Sequence, residues 1–412
     1  MPRLGTLDAL RGLTILWVVV MHFAADTRGL PAAEVAPGVI ASALARGEIA
    51  EALGRVLVGV LFLPGFRLDV LLFVTGLVLE LGRPRPASAL LARRAQAILP
   101  GYWLGTLLVA AVIVACALAR SMVTGAPFED EVQFGSRLAR VPYEFAPSHL
   151  LYGLSVMGRF TSPGTVQVVA PSLWYIALMA QFYVAYPAMR AVLRRLGPAA
   201  FLVACGVVMV GLRVLLLTGW RLGPFDTASA LAAFLPFRLV SPALGMVAAP
   251  WFRRRAGAGA ARLHSTVALV PAVLLLLLAG WIGSVLLPPA RLLVVIGPSL
   301  AVVPAVMGLW ALASWALARP GPARVLLWAG RTSLAMLVVQ DALRFVVGTA
   351  QSLGAPLAQW MWVCLPGYVM LTIGLTKAWA PVSQGVTDWW RADGAARAAP
   401  GHCRDGSITI RG

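Results

Sequence analysis

The sequence predicts an all-α, polytopic integral membrane protein with about ten transmembrane helices and both termini in the cytoplasm. Charged residues make up only 12% of the chain and hydrophobic residues 60%, whereas a soluble domain carries ~25% charged residues. The mean hydropathy is +0.83. Apolar runs of about 20 residues, enough to cross ~30 Å of hydrocarbon, recur along the 412 residues. The predicted spans lie near 10–29, 57–81, 99–119, 171–189, 199–219, 228–250, 266–287, 292–318, 332–350 and 355–380.

The distribution of arginines supports this topology. Four alternate connections, at 83–94, 190–195, 253–262 and 319–331, contain arginines and no acidic residue, while the connections between them mix both charges. Basic connections face the cytoplasm, which places both termini there and requires an even number of spans. The net charge of +18 is therefore assigned to topology and to anionic lipid headgroups, not to nucleic acid.

The chain reads as one membrane domain, residues 1–385, followed by a polar, glycine-rich tail, 386–412, expected to be disordered in the cytoplasm. The first apolar run is kept as a helix and not a cleaved signal peptide, because it contains His22 and Asp26. Four widely spaced cysteines form no metal or disulfide pattern, so no metal is expected. The abundance of Ala, Arg and Gly is typical of a GC-rich bacterial gene, which favours the inner (cytoplasmic) membrane of a bacterium.

Ionisable side chains inside a bilayer are costly, so the polar residues of the first helix are candidates for function. Arg11 and His22 are eleven residues apart, which in a helix is ~1100° of rotation and ~16 Å of rise, so they share one face. Asp8 and Asp26 lie near the same stripe. An imidazole at this position could act as a general base, and Arg11 could hold an anion. Alternatively, Arg11 is a topological anchor and His22 a structural hydrogen-bonding residue.

Four segments, in order, resemble motifs of the membrane acyltransferase 3 family. The first helix has the family's arginine and histidine, at Arg11 and His22. The others are RLDVLLFVTGLVLE with Asp69 and Gly76, ARRAQAILPGYW with Arg93 and Arg94, and SLWYIALMAQFYVAYP with Trp174, Gln181 and Tyr183. FRLVSPALGM and WAGRTSLAMLVVQ agree more weakly, so the resemblance spans roughly residues 3–350.

The resemblance implies transfer of an acyl group, often acetyl, from cytoplasmic acyl-coenzyme A to a hydroxyl of a glycan, a lipid or a small metabolite, as in modification of cell-envelope polysaccharides. It implies that His22 is the general base and that Arg11, Arg93 and Arg94 bind the donor. Acyl-coenzyme A is then the donor substrate, and the partners are the hydroxyl acceptor and membrane lipids, without metal or nucleic acid. Two alternatives stay open: a transporter or flippase that uses the same polar stripe, and a non-catalytic relative.

The chain departs from the family pattern at several positions. Many members carry an acidic pair where this chain has Met179 and Ala180, and a histidine where it has Gln340. Asp341, next to Gln340, could replace the lost polar partner.

Each of the supporting residues also has a structural interpretation. Asp69 is predicted either to pair with Arg67 or to position His22. Trp174 and Tyr183 fit an interfacial aromatic belt equally well, and Asp341 with Arg344, one turn apart, would neutralise each other. In a helix, Trp174 and Gln181 lie near one face and Tyr183 on the opposite one.

Overall fold

The computed structural model is helical, with no strand, throughout the residues it describes. These residues are 5–28, 37–49, 51–52, 66–83, 85–128, 130–131, 154–155, 171–218, 234–257, 291–357 and 359–398. The helices are α1 Gly5–Arg28, α2 Pro37–Ala45, α3 Phe66–Leu81, α4 Ala87–Thr124, α5 Trp174–Leu217, α6 Val240–Gly257, α7 Arg291–Leu317, α8 Pro320–Arg331, α9 Ser333–Ser352 and α10 Met361–Ala398. Short 3₁₀ turns, Pro171–Leu173 and Leu235–Arg238, precede α5 and α6.

Helix α1 lies at the centre of the bundle. It packs against α3, α7, α8, α9 and α10, and its apolar side chains belong to three core clusters, of which two are large. Ile15, Val19 and Phe23 join the cluster formed with α4 and α9, while Leu10 and Trp17 join the one formed with α3, α6 and α7. The helix that carries the predicted Arg11–His22 stripe is therefore surrounded by protein, where polar side chains can find partners.

Glycines bring two pairs of helices into backbone contact. A Cβ at Gly12 of α1 would overlap the Leu326 carbonyl of α8, and a Cβ at Gly330 would overlap the Asp8 carbonyl. Gly76 of α3 and Gly245 of α6 face the opposite backbone in the same reciprocal way. Small residues permit this close approach, which is a common way to pack helices in a bilayer.

Helix α5 contains two predicted spans in one element. Its 44 residues would measure about 66 Å as one straight helix, more than twice the hydrocarbon thickness. Gly197, with φ 75° and ψ 171°, interrupts the helix just before Pro198 and separates segments 174–196 and 198–217. The arginine-rich connection predicted at 190–195 is thus helical, and the break comes after it, because glycine alone tolerates this backbone conformation easily.

Five described helices are long and apolar enough to cross a membrane: Gly5–Ala24, Ala87–Thr124, Trp174–Leu216, Ser333–Ser352 and Val363–Ala392. A shorter apolar helical stretch covers Val302–Leu317. The all-α, multi-pass fold is therefore as predicted. The count of ten spans stays a prediction, and the span near 266–287 lies outside the described residues.

The prediction of a disordered tail from residue 386 is wrong for its first part, because α10 continues to Ala398. The sequence there is rich in alanine and arginine, which favour helix, and Asp388 and Arg391 form an i,i+3 ion pair of 3.2 Å. Residues 399–412 lie outside the described part of the chain.

Candidate active site

Three elements meet around His22. The half-buried imidazole projects from α1 toward the 3₁₀ turn before α5 and toward α9. Its Nδ1 lies 3.3 Å from the Ser172 hydroxyl and within hydrogen-bonding contact of the Gln340 amide nitrogen. Gln340 Nε2 also lies 3.3 Å from the Ser172 Oγ. One ring nitrogen of the predicted base is therefore held by two neutral polar side chains.

Asp341 lies behind Ser172 and is fully buried. One carboxylate oxygen accepts the Ser172 backbone N–H at 2.8 Å, and the other accepts the Ser172 hydroxyl at 2.5 Å. Asp341 thus reaches the neighbourhood of His22 through Ser172.

The predicted ion pair between Asp341 and Arg344 is present, but it is the longer of the two that Arg344 makes. Arg344 makes a two-pronged ion pair with Asp26 of α1, at 2.6 and 2.8 Å, and stands 3.8 Å from Asp341. Parallel N–H donors of a guanidinium match the two oxygens of a carboxylate, which makes this the preferred geometry. The four ionisable residues of this cluster are His22, Asp26, Asp341 and Arg344, and Tyr368 of α10 borders it by stacking on Phe23 at 4.5 Å.

The predicted donor-binding arginines lie toward the N-terminal parts of α1 and α4. Arg11 is partly exposed and stands 3.9 Å from Asp8. Arg93 is exposed, while the half-buried Arg94 lies over the Tyr183 ring, 5.3 Å from its centroid.

Asp69 has a structural setting distinct from the His22 cluster. Its carboxylate is buried and pairs with Arg238 at 2.9 Å, and it accepts the Ser241 hydroxyl at 2.8 Å. Nearby, the Arg213 side chain donates to the Phe237 carbonyl. These contacts join α3 to α5 and α6, whereas the predicted partner Arg67 lies in the part of α3 whose side chains are not described.

The remaining predicted residues lie along α5. Gln181 accepts the backbone N–H of Leu235 at 3.1 Å and so fixes the turn before α6. Tyr183 is buried against Arg94 of α4. Trp174, the first residue of α5, is half-buried against the cluster that contains Leu178 and Phe182.

Sequence reasoning did not identify Ser172 or the Asp26–Arg344 pair. Serine is common and carries no spacing signature, and Arg344 and Asp26 are 318 residues apart. The available signals for Ser172 were its place as the first residue of the family-like segment SLWYIALMAQFYVAYP and its position at the start of a predicted span.

Apolar helices long enough to cross a membrane, packed around a central helix with a buried polar cluster, define the class as a multi-pass membrane protein. A family model described as an acyltransferase domain matches residues 4–376, nearly the whole chain. The chain belongs to this membrane acyltransferase 3 family and is an acyltransferase. No curated protein and no solved structure matches it.

Proposed function

We propose that the protein is a membrane O-acyltransferase that moves an acyl group, acetyl above all, from acyl-coenzyme A to a hydroxyl of a glycan, lipid or small metabolite of the cell envelope. His22 acts as the general base. It takes the proton of the acceptor hydroxyl while the oxygen attacks the thioester carbonyl carbon. The C–S bond then breaks, and the proton passes from His22 to the leaving thiolate, so the products are an ester and free coenzyme A.

The observation that carries this proposal is the setting of His22 in a chain of the acyltransferase family. The imidazole is half-buried in the central helix, and its Nδ1 is engaged by Ser172 and Gln340. A base whose one nitrogen is fixed by the protein has a defined direction for the other, which here is Nε2. Asp341 supports this arrangement from behind.

The donor is proposed to bind through Arg11, Arg93 and Arg94. Coenzyme A is polyanionic, and guanidinium groups bind phosphates in a planar, two-pronged manner. Arg11 and His22 are separated by ~16 Å along α1, so the extended pantetheine arm would carry the thioester from the arginines toward the base. Asp69, Gln181 and Trp174 are assigned supporting, structural roles on the basis of their contacts.

The topology proposed is ten spans with both termini in the cytoplasm of a bacterial inner membrane. Single-cysteine labelling of intact cells, in a background without the four native cysteines, tests it at two exposed sites, Asp130 and Arg254. A membrane-impermeant reagent should label a cysteine at Asp130 and not one at Arg254. Labelling of Arg254→Cys from outside would reverse the proposed orientation.

The base is tested with His22→Gln, which keeps the approximate size and hydrogen-bonding capacity of the side chain but cannot accept the proton. Purified protein with radiolabelled acetyl-coenzyme A and a cell-envelope fraction should lose at least ~100-fold in transfer rate. Thr14→Val is the matched control on α1, since among the described residues the Thr14 hydroxyl donates only within its own helix, to the Leu10 carbonyl at 2.8 Å. A folded His22→Gln protein that works at the wild-type rate would refute the assignment.

The donor site is tested with the double variant Arg93→Ala, Arg94→Ala. Binding of acetyl-coenzyme A, followed by equilibrium dialysis, should weaken, and in the wild type it should weaken with rising salt, because ions screen exposed charges. Arg83→Ala with Arg85→Ala is the control, since both arginines are exposed in the connection just before α4. Equal effects of the two double variants would leave Arg93 and Arg94 as topological anchors.

A further inference from the structure

We propose that Ser172 connects Asp341 to His22 and holds the imidazole in the tautomer that a general base requires. The proposal builds on the proposed role of His22 and adds two positioning residues to it. In this arrangement Asp341 fixes Ser172, Ser172 accepts a hydrogen bond from Nδ1–H of His22, and Nε2 keeps the lone pair that receives the acceptor's proton.

The first step of the argument is the direction of the Ser172 hydroxyl. Asp341 binds Ser172 twice, through the backbone N–H at 2.8 Å and the hydroxyl at 2.5 Å, and both residues are buried. An ionised carboxylate can only accept, so the single hydroxyl proton of Ser172 is directed at Asp341. Only the lone pairs of Ser172 Oγ remain for His22, whose Nδ1 is 3.3 Å away. Oγ can therefore accept from a protonated Nδ1 and cannot donate to a bare one.

The second step concerns Gln340, which contacts the same ring nitrogen. With its Nε2 toward His22, the Gln340 Oε1 is buried without a hydrogen-bond partner among the described residues. Rotating the amide by 180° exchanges the two atoms and turns an acceptor toward Nδ1. Gln340 can thus serve either protonation state of Nδ1, so the choice of tautomer falls to Ser172 and Asp341.

The third step is charge. With a neutral imidazole, the side chains of Asp26, Asp341, Arg344 and His22 sum to −1, and with an imidazolium they sum to zero. Arg344 binds Asp26 at 2.6 and 2.8 Å and stands further from Asp341, at 3.8 Å. In a site of low dielectric, the net negative charge of this cluster, with Asp341 separated from His22 only by the Ser172 side chain, stabilises the imidazolium formed during transfer.

The proton balance follows from these contacts. The acceptor's O–H proton moves to Nε2 as the ester bond forms, while Nδ1–H continues to donate to Ser172 and Asp341 remains a carboxylate. The proton then leaves Nε2 for the sulfur of coenzyme A. Ser172 and Asp341 therefore touch neither substrate and act through His22, as positioning residues.

The test compares Ser172→Ala, Ser172→Thr and Asp341→Asn in the radiolabelled acetyl-transfer assay, with melting temperatures measured in the same detergent. Ser172→Ala and Asp341→Asn should each lower kcat at least ~10-fold, a part of the ~100- to 10,000-fold that a general base contributes. KM for acetyl-coenzyme A should stay within about 2-fold, because the donor arginines are untouched. Ser172→Thr, which keeps a hydroxyl, should recover much of the kcat lost in Ser172→Ala.

Ser241→Ala is the matched control, since Ser241 is also buried and also donates to a carboxylate, Asp69, at 2.8 Å. It should change the melting temperature without a selective loss of kcat. Folded Ser172→Ala and Asp341→Asn proteins with wild-type kcat would overturn the proposed positioning of His22 by Ser172 and Asp341. A Ser172→Thr protein with a kcat no higher than that of Ser172→Ala would overturn it as well. If His22→Gln is inactive in the same assay, such a result leaves the general base standing; if His22→Gln is active, the proposed function itself fails.

Discussion

Replacing Gly12 with alanine should separate α1 from α8. An alanine Cβ at this position would lie 2.9 Å from the Leu326 carbonyl carbon and 3.0 Å from the Gly330 nitrogen, and closer still to the Leu326 oxygen. Carbon atoms prefer separations of ~3.5–4.0 Å, and the neighbours are backbone atoms of a helix, which cannot rotate away. The two helices must therefore move apart by about 1 Å.

The magnitude follows from two opposing terms. Overpacking costs ~1–3 kcal/mol, while replacing a helical glycine with alanine returns up to ~1 kcal/mol. Gly206→Ala is the matched control, because a Cβ at Gly206 meets no atom of the described residues within 4 Å. Both variants gain the same helix propensity, so they should differ in the free energy of unfolding by the overpacking cost alone, about 1–3 kcal/mol.

Reversible unfolding in mixed detergent micelles measures this difference, and acetyl transfer measures its functional effect. A shift of ~1 Å in the helix that carries Arg11 and His22 should lower the transfer rate by up to ~100-fold. Gly12→Ala with Gly330→Ala should cost less than the sum of the single changes, because the first Cβ already opens the contact needed by the second. A Gly12→Ala protein as stable as Gly206→Ala would refute the close backbone contact.

Two further predictions concern ion pairs. Asp26→Asn should destabilise the protein less than Arg344→Met, because Arg344→Met removes the cation that both Asp26 and Asp341 face. Unfolding in micelles should show this order, with a loss of about 3–5 kcal/mol for Arg344→Met. The reverse order would contradict the arrangement of these three charges. At the end of α4, the hydrogen bond from Arg120 lowers the pKa of Glu131 below its usual value near ~4.3. The stability that this contact adds is therefore present at neutral pH and lost as the pH falls below that value. Melting temperatures measured between pH 7 and pH 3 should therefore fall less for Glu131→Gln than for the wild type. An equal fall in both proteins would exclude the contact.

The all-helical, multi-pass class could be predicted because it follows from the length and composition of the apolar runs, which are properties of single segments of the chain. The common face expected for Arg11 and His22 depends on the same kind of reasoning, 100° of rotation per residue within one helix, and stays a prediction. Gly76 was identified through the family motif, but the motif does not show why a glycine is needed there. The structure gives the reason, because a Cβ at this position would overlap the backbone of α6.

Contacts between helices could not be predicted, because no periodicity links distant segments of a chain. The partner of Arg344 was assigned to Asp341, the nearest acid in sequence, whereas the bidentate partner is Asp26 on another helix. Asp341 was recognised as a candidate, but its route to His22 passes through Ser172, a residue type with no distinguishing spacing. The helical start of the tail was missed because its glycine and charge suggested disorder, although alanine and arginine dominate locally.

The position of α1 sets the order in which the protein can be assembled. It is the earliest described helix to be synthesised, yet its polar side chains find their partners on α9 and its backbone packs against α8. The Asp26–Arg344 pair alone spans 318 residues. During synthesis, His22 and Asp26 must therefore wait for Gln340 and Arg344 until 318 residues have followed. Contacts this distant in sequence form slowly, and unpaired polar groups in hydrocarbon are costly. The first helix therefore reaches its final polar environment only after α8 and α9 have been made and inserted.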